Sequence, residues 1–177
     1  MNFIKYFYNK NIKYDLLNKF YYINTKKLPK IKKIVITLSC KTTKMSNLAF
    51  SSLALELITS QKSQFIISKK ANLLFKIRKG SPVGCKVILK KNKMFEFLEN
   101  TCCNIIPQLK LLNKMSLKGR INKNYFKYNI SNLFIFNELE KNYYLFNEIN
   151  NLNVTIVTDS TKIKETSFLF YSFQLNY

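Results

Sequence analysis

The chain has 177 residues, an apolar fraction of 47%, and 30 Lys+Arg against 9 Asp+Glu, a formal charge of +21. Length and apolar content suffice for one cored domain, while the charge calls for a polyanion: nucleic acid first, an anionic membrane surface second. The absence of histidine excludes Ser-His-Asp and Cys-His catalysis, and no apolar run approaches the about 18–20 residues that span a bilayer.

Residues 3–20 place Ile4, Phe7, Tyr8, Ile12, Leu16 and Phe20 at helical spacing, with lysines opposite. This Lys-rich start has the look of a transit peptide, but it lacks Arg and Ser and contains Asp15, so it is read as part of the mature fold. A loop ends at Pro29. "IKKIVITL" (31–38) is β-branched and alternating and predicts a strand, and "NLAFSSLALELITS" (47–60) predicts a buried helix. "QFIIS" (64–68) and "LLFKIR" (73–78) read as one bent strand or two short ones, and "GCKVILK" (84–90) as another, with "KGSPVG" as the hairpin loop between them. A basic turn "KKNK" leads to a helix capped by Asn92, carrying Met94, Phe95, Leu98, Cys102 and Ile105 and stopped by Pro107. Residues 108–130 have little apolar periodicity and read as a long basic loop. "NLFIF" (132–136) and "LNVTIVT" (152–158) read as strands. Asp159 to Thr161 offer caps for a last helix through Phe173, with Ile163, Ser167 and Phe170 on one face. Strands and helices mix without strict alternation. The expected fold is therefore α+β, an open antiparallel β-sheet with α-helices packed on one face, in a single domain over 1–177.

The charge is lopsided. Residues 1–95 hold 21 Lys+Arg and 2 acids, residues 96–177 hold 9 and 7, so a polyanion should dock on the first half. Arg is rare while Lys, Asn, Ile, Phe and Tyr abound, a skew that follows AT-rich coding and makes an organelle genome plausible, so the position of a cation says more than its number. Three groups of cations stand out. Lys30, Lys32 and Lys33, with Lys69, Lys70, Lys90 and Lys91, form a phosphate-binding surface if their strands share a sheet, with Gln61 available for closer contacts. In the hairpin, Gly80 permits φ > 0 and Pro82 stiffens the loop, among Lys76, Arg78 and Lys79. In the long loop, Lys110, Lys114, Lys118, Arg120 and Lys123 are interleaved with Tyr125, Phe126 and Tyr128, a mix suited to unpaired RNA. A solvated hairpin and a disordered polar loop are the plain alternatives. Cys40, Cys85, Cys102 and Cys103 form no CxxC pair and read as reduced core thiols; neither zinc site nor other metal or cofactor is expected, and the scattered acids read as surface charges.

Several stretches occur in a familiar order: "LPKIKKIVI" (28–36), "QK" (61–62), "FKIRKGSPVGCKVIL" (75–89), "MFEFLE" (94–99), "IIP" (105–107), Phe136 with Glu138, "LNVTIVT" and "ETSFLFYSF" (165–173). The chain thereby resembles the universal large-subunit ribosomal protein five family, the 5S-rRNA-associated protein of the central protuberance, over nearly its whole length. The resemblance implies an open antiparallel sheet and no catalysis. It implies contacts with large-subunit rRNA, 5S rRNA and neighbouring central-protuberance proteins. It also implies a hairpin, residues 72–84 with Gly80, Ser81 and Pro82, reaching the elbow of P-site tRNA, and a bridge to small-subunit ribosomal protein thirteen. Gln61 and Phe75 match family positions that contact 5S rRNA. Thr37 and Ile88 stand where the family has Asn and Thr, "TLSC" (37–40) replaces an Asn-Met-Gly run, and Ile121 to Asn124 replace a Gly-rich segment. These departures fit an organellar ribosome whose 5S rRNA has diverged or been lost. Residues 3–28 align with the family's first helix, leaving no room for a presequence. Together with the coding skew, this implies a protein made in an organelle, a mitochondrion before a plastid. A free RNA-maturation enzyme or chaperone is the alternative reading; a peripheral membrane protein held by the N-terminal helix is the third.

Overall fold

The N-terminal apolar stripe is helical as expected. Helices α1 (Phe3–Phe7) and α2 (Lys13–Lys19) are joined through a π-helical turn, Tyr8–Ile12. Ile4, Ile12 and Leu16 are buried along one side. The structure, a computed structural model, describes residues 2–40, 44–113, 119–147, 149 and 151–175, the side chains of 110–113 excepted. The remaining elements are β1 (Ile31–Ser39), α3 (Met45–Thr59), β2 (Gln64–Ile67), β3 (Pro82–Leu89), α4 (Lys91–Asn100), α5 (Ile106–Asn113), β4 (Arg120–Ile121), β5 (Tyr125–Ile130), α6 (Asn137–Glu140), α7 (Tyr143–Phe146), β6 (Leu152–Thr158) and α8 (Ile163–Ser172). The strands form one open antiparallel sheet in the order β2-β3-β1-β6-β5-β4. The α+β expectation is borne out.

Alternation decides which face of each strand is covered. Ile34, Ile36 and Leu38 in β1, Cys85, Val87 and Leu89 in β3, Phe126, Tyr128 and Ile130 in β5, and Leu152, Val154 and Ile156 in β6 are all buried. The residues between them form the other, barer face.

Two compact units divide the chain: residues 1–34, 89–128 and 155–177, and residues 35–88 with 129–154. In the first, Phe170 of α8 lies against Phe126 with ring centroids 4.9 Å apart, and Met94, Phe97 and Leu98 of α4 are buried. In the second, Leu48, Ala54 and Leu55 of α3 are buried, and the Cys85 thiol donates to the Leu48 carbonyl at 3.7 Å. In each unit, helices cover the apolar face.

Several local expectations are corrected. "LLFKIR" is no strand: Leu73–Lys76 is a turn closed by a pair of bonds between Asn72 and Ile77. "NLFIF" is a 3-10 turn, Leu133–Ile135, in which Asn132 Oδ1 accepts from the Phe134 amide. Leu133, Ile135 and Phe136 are all buried there, which a strand of period two cannot achieve. Residues 108–130 are α5 as far as Asn113 and the β4–β5 hairpin from Arg120 on; Lys114 and Lys118 lie outside the described residues. Pro107 sits inside α5, because a π-helical turn at Thr101–Ile105 lies where its ring would meet the carbonyl of Cys103. Lys90, not Asn92, occupies the cap position of α4.

The cap candidates of the last helix are used elsewhere. Asp159 pairs with Lys32 at 2.7 Å, and the Ser160 hydroxyl donates to the Lys123 carbonyl at 2.6 Å. Lys162 precedes α8, whose buried face is Glu165, Thr166, Leu169 and Phe170; Ile163 is exposed.

Burial also sets proton affinities. It pushes the Cys85 thiol up to about 11, helped by Cys40 and Glu56, and the Cys102 thiol up to about 12, helped by Cys103. Burial likewise raises Tyr8 to about 12 and moves Tyr128 upward. All four groups hold their protons more tightly when folded. Their stabilisation is complete below the unfolded values, 9.0 for thiols and 10.0 for phenols, and is lost as pH rises through the folded ones. The melting temperature should therefore fall steadily from about pH 9 to about pH 12; a flat profile there contradicts the burial described. At pH 8, iodoacetamide should alkylate exposed Cys103 first and leave Cys85 and Cys102 intact, which peptide mass mapping reads directly.

Candidate nucleic-acid interface

One concentration of charge lies in the second unit. No acid stands between Glu56 and Glu96, and Lys69, Lys70, Lys76, Arg78 and Lys79 are exposed on the hairpin joining β2 to β3. The hairpin is braced from its root. Ser68 exchanges backbone bonds with Ser81 and Gly80 at 2.9 and 3.0 Å, and the hydroxyls of Ser68 and Ser81 donate to the Lys70 and Arg78 carbonyls. Gly80, at φ +86°, is the third residue of the turn Arg78–Ser81, a position that requires positive φ. Lys76 has φ +53° at the outer turn. The tip is apolar: Leu73, Leu74 and Phe75 are 93%, 91% and 65% exposed.

"KGSPVG" is thus the root of the finger and not its loop. Pro82 opens β3 opposite Ile67, and Gly84 lies within the sheet opposite Ile66. A Cβ on Gly84 would stand 2.4 Å from the Leu38 carbonyl oxygen, so glycine is there for close strand approach.

On the barer face of the same unit lie Val35 and Thr37 of β1, Lys86 and Ile88 of β3, and Asn153 of β6. Thr37 Oγ1 donates to the Asn153 carbonyl at 3.5 Å, and Gln64 stands opposite Lys86. Gln61 is half-buried just past α3, its carbonyl accepting from Thr59. Thr37 and Ile88 therefore share a face; Gln61 and Phe75 lie off it, Phe75 on the finger.

In the first unit, Lys33 is half-buried on the barer side of β1, whereas Lys32 is tied to Asp159. Lys30, Lys90 and Lys91 are exposed beside strand ends. Arg120 stands opposite Lys127 in the β4–β5 register, and both are exposed. Lys123 is exposed while its carbonyl accepts from Ser160 and Thr166. Lys110 lies in α5, its side chain outside the described set. The aromatics of this segment part company: Tyr125 is exposed, but Phe126 and Tyr128 are core residues and offer no ring to a base. Lys86 and Lys127 are further cations of the hairpin stretch and of the 108–130 segment. Each stands between buried neighbours, Cys85 and Val87 or Phe126 and Tyr128, so strand alternation is the signal that finds them.

Among the described residues no group of three or more Cys, Asp or Glu side chains converges as a metal site, and no helix is long and apolar enough to cross a membrane. The site is a braced cationic finger, free of acids in its own sequence, on a half-covered sheet. The sequence profile for the C-terminus of the ribosomal L5 family matches residues 82–177. The large ribosomal subunit protein uL5m of Reclinomonas americana is 33% identical over 177 residues, covering 99% of this chain and 97% of that protein. The large ribosomal subunit protein uL5 of Karelsulcia muelleri is 35% identical over 176 residues, covering 97% and 92%. This chain belongs to the ribosomal L5 family, whose members are structural components and not enzymes.

Proposed function

We propose that the chain is a structural constituent of the large subunit of a mitochondrial ribosome, made in the organelle. It binds large-subunit rRNA, and 5S rRNA or its replacement, in the central protuberance. The hairpin between Ser68 and Ser81 reaches P-site tRNA, and another edge bridges to small-subunit ribosomal protein thirteen. The observation that carries the RNA reading is the finger. Five cations stand on a hydrogen-bonded frame whose own sequence holds no acid, so their charge is presented at little ordering cost. The apolar tip suits contact with base faces, with Phe75 as the stacking ring. The relative named uL5m supports the mitochondrial setting; the match to a bacterial protein leaves family membership independent of it.

Binding to a large-subunit rRNA fragment should weaken steeply with salt, log K falling by about 0.9 per phosphate neutralised on duplex for each tenfold rise in salt. A flat response in a filter-binding titration contradicts electrostatic docking.

A further inference from the structure

In the first unit, between the segment after α2 and the N-terminal turn of α8, lies a cavity of about 580 Å³, within the range that holds small ligands. Lys26, Lys27 and Lys162 stand around it, and Tyr21 and Tyr22 supply aromatic walls. Glu165 also lines it and is only 4% exposed. A glutamate so buried normally has a partner; among the described residues no hydrogen bond or ion pair holds Glu165, and its carboxylate, not among the fully enclosed atoms, is open to the cavity. The other acid there, Asp159, is held by Lys32. The hydroxyl of Tyr22 is enclosed and also without a hydrogen-bond partner. Burial, and after it the nearby Glu165, pushes that phenol up to about 12. The two groups line one cavity, with no hydrogen bond between them.

The lining specifies a ligand with three properties: negative charge for the lysines, a flat face for the tyrosines, and paired N–H donors for a carboxylate with two side-by-side acceptors. A metal ion or an arginine-bearing peptide satisfies the carboxylate but meets three ammonium groups and a chain of +21. Among the nucleobases only guanine places two adjacent donors, N1–H and N2–H, on one edge. Adenine and cytosine set a donor beside an acceptor, and uracil sets one donor between two acceptors. We propose that this cavity binds a guanine nucleotide, its N1–H and N2–H donating to Glu165, its ring on Tyr21, and its phosphates among Lys26, Lys27 and Lys162. The source taken as primary is an unpaired guanine of the bound rRNA, which rests on the ribosomal reading; free GMP offers the same chemistry.

Kethoxal modifies N1 and N2 of unpaired guanine, the edge that Glu165 would cover. The full chain, or its Glu165→Gln variant, is bound to large-subunit rRNA, and kethoxal reactivity is mapped by primer extension. A second arm measures saturation transfer from each protein to GMP, AMP, CMP and UMP. The expected result is one guanine protected by the wild type and reactive with Glu165→Gln, by at least about fivefold, the rest of the footprint unchanged. Lys26→Ala/Lys27→Ala, at exposed sites, should lose the same protection and tests the cavity even if the buried substitution unfolds the chain. GMP-selective transfer that Glu165→Gln abolishes, without such a guanine in the footprint, assigns the cavity to the free nucleotide. A normal footprint with no variant-sensitive guanine and no GMP selectivity overturns the proposal and leaves the ribosomal reading standing. No footprint at all overturns the ribosomal reading, and the GMP arm then decides the cavity alone.

Discussion

Gly84→Ala should destabilise the protein by about 3 kcal/mol, in the overpacking range for a site with no room to yield. The added Cβ would meet the Leu38 carbonyl oxygen at 2.4 Å and the Cα of Ser39 at 3.2 Å, both backbone atoms. Neither can swing aside as a flexible side chain would. Relief requires β1 and β3 to separate, and this is where the Cys40 amide donates to the Val83 carbonyl at 3.0 Å. For a chain of this length the melting temperature should drop by about 6–12 °C. Gly80→Ala is the informative comparison: its Cβ meets nothing within 4 Å, so its cost comes only from the positive φ, about 1 kcal/mol. Equal melting temperatures for the two variants would show that the strand approach at Gly84 is looser than described.

Neutralising Lys76, Arg78 and Lys79 together should leave folding and subunit assembly intact and weaken retention of P-site tRNA. All three side chains are exposed on the finger, so each truncation should change stability by no more than about 0.5 kcal/mol. The frame that shapes the finger uses Ser68, Asn72, Ile77, Gly80 and Ser81, with backbone carbonyls of Lys70 and Arg78, and survives alanine at 76, 78 and 79. What is lost is charge. If each cation holds one phosphate, the salt slope of tRNA binding should shrink by up to about 3, with retention at raised salt falling about tenfold or more. Filter binding of tRNA to ribosomes carrying the variant checks this. If assembly collapses while the surviving ribosomes hold tRNA normally, the finger serves rRNA instead.

Strand alternation and helical spacing make β1, β3, β6 and the N-terminal helices readable, because in each the residues that alternate or recur are the ones buried; α3 is legible from its Ala and Leu content, but it is covered on one side only, with Leu53 and Leu57 exposed and Ser51 and Thr59 buried. The segment "YFKYNI" obeys the same physics less visibly. Tyr125, Lys127 and Asn129 are exposed and Phe126, Tyr128 and Ile130 buried, a period-two pattern hidden behind a mix of cations and rings that suits stacking on bases. "LLFKIR" fails for a different reason. Its composition favours a strand, but the Asn72–Ile77 pairing and the turn at Leu73–Lys76 hold it at the tip of a finger with its apolar side chains in solvent. Local propensity gives way here to the turn that the Asn72–Ile77 bonds close. The cations of that finger are legible as a cluster; that Gly84 serves the sheet and Gly80 the turn is not, since one-dimensional spacing does not show which strand lies beside a glycine. The Glu165 cavity leaves no trace in sequence, because its lining joins residues 21–27 to residues 159–165 across the fold.

The proposed role makes this chain a stably bound part of the large ribosomal subunit. Sucrose-gradient sedimentation of mitochondrial extract carrying the tagged chain, at moderate and then high salt, tests it most directly. The chain should travel with large-subunit rRNA in near-equal stoichiometry at moderate salt and leave the particle progressively as salt rises. A chain that stays at the top of the gradient at moderate salt, apart from the rRNA, contradicts it.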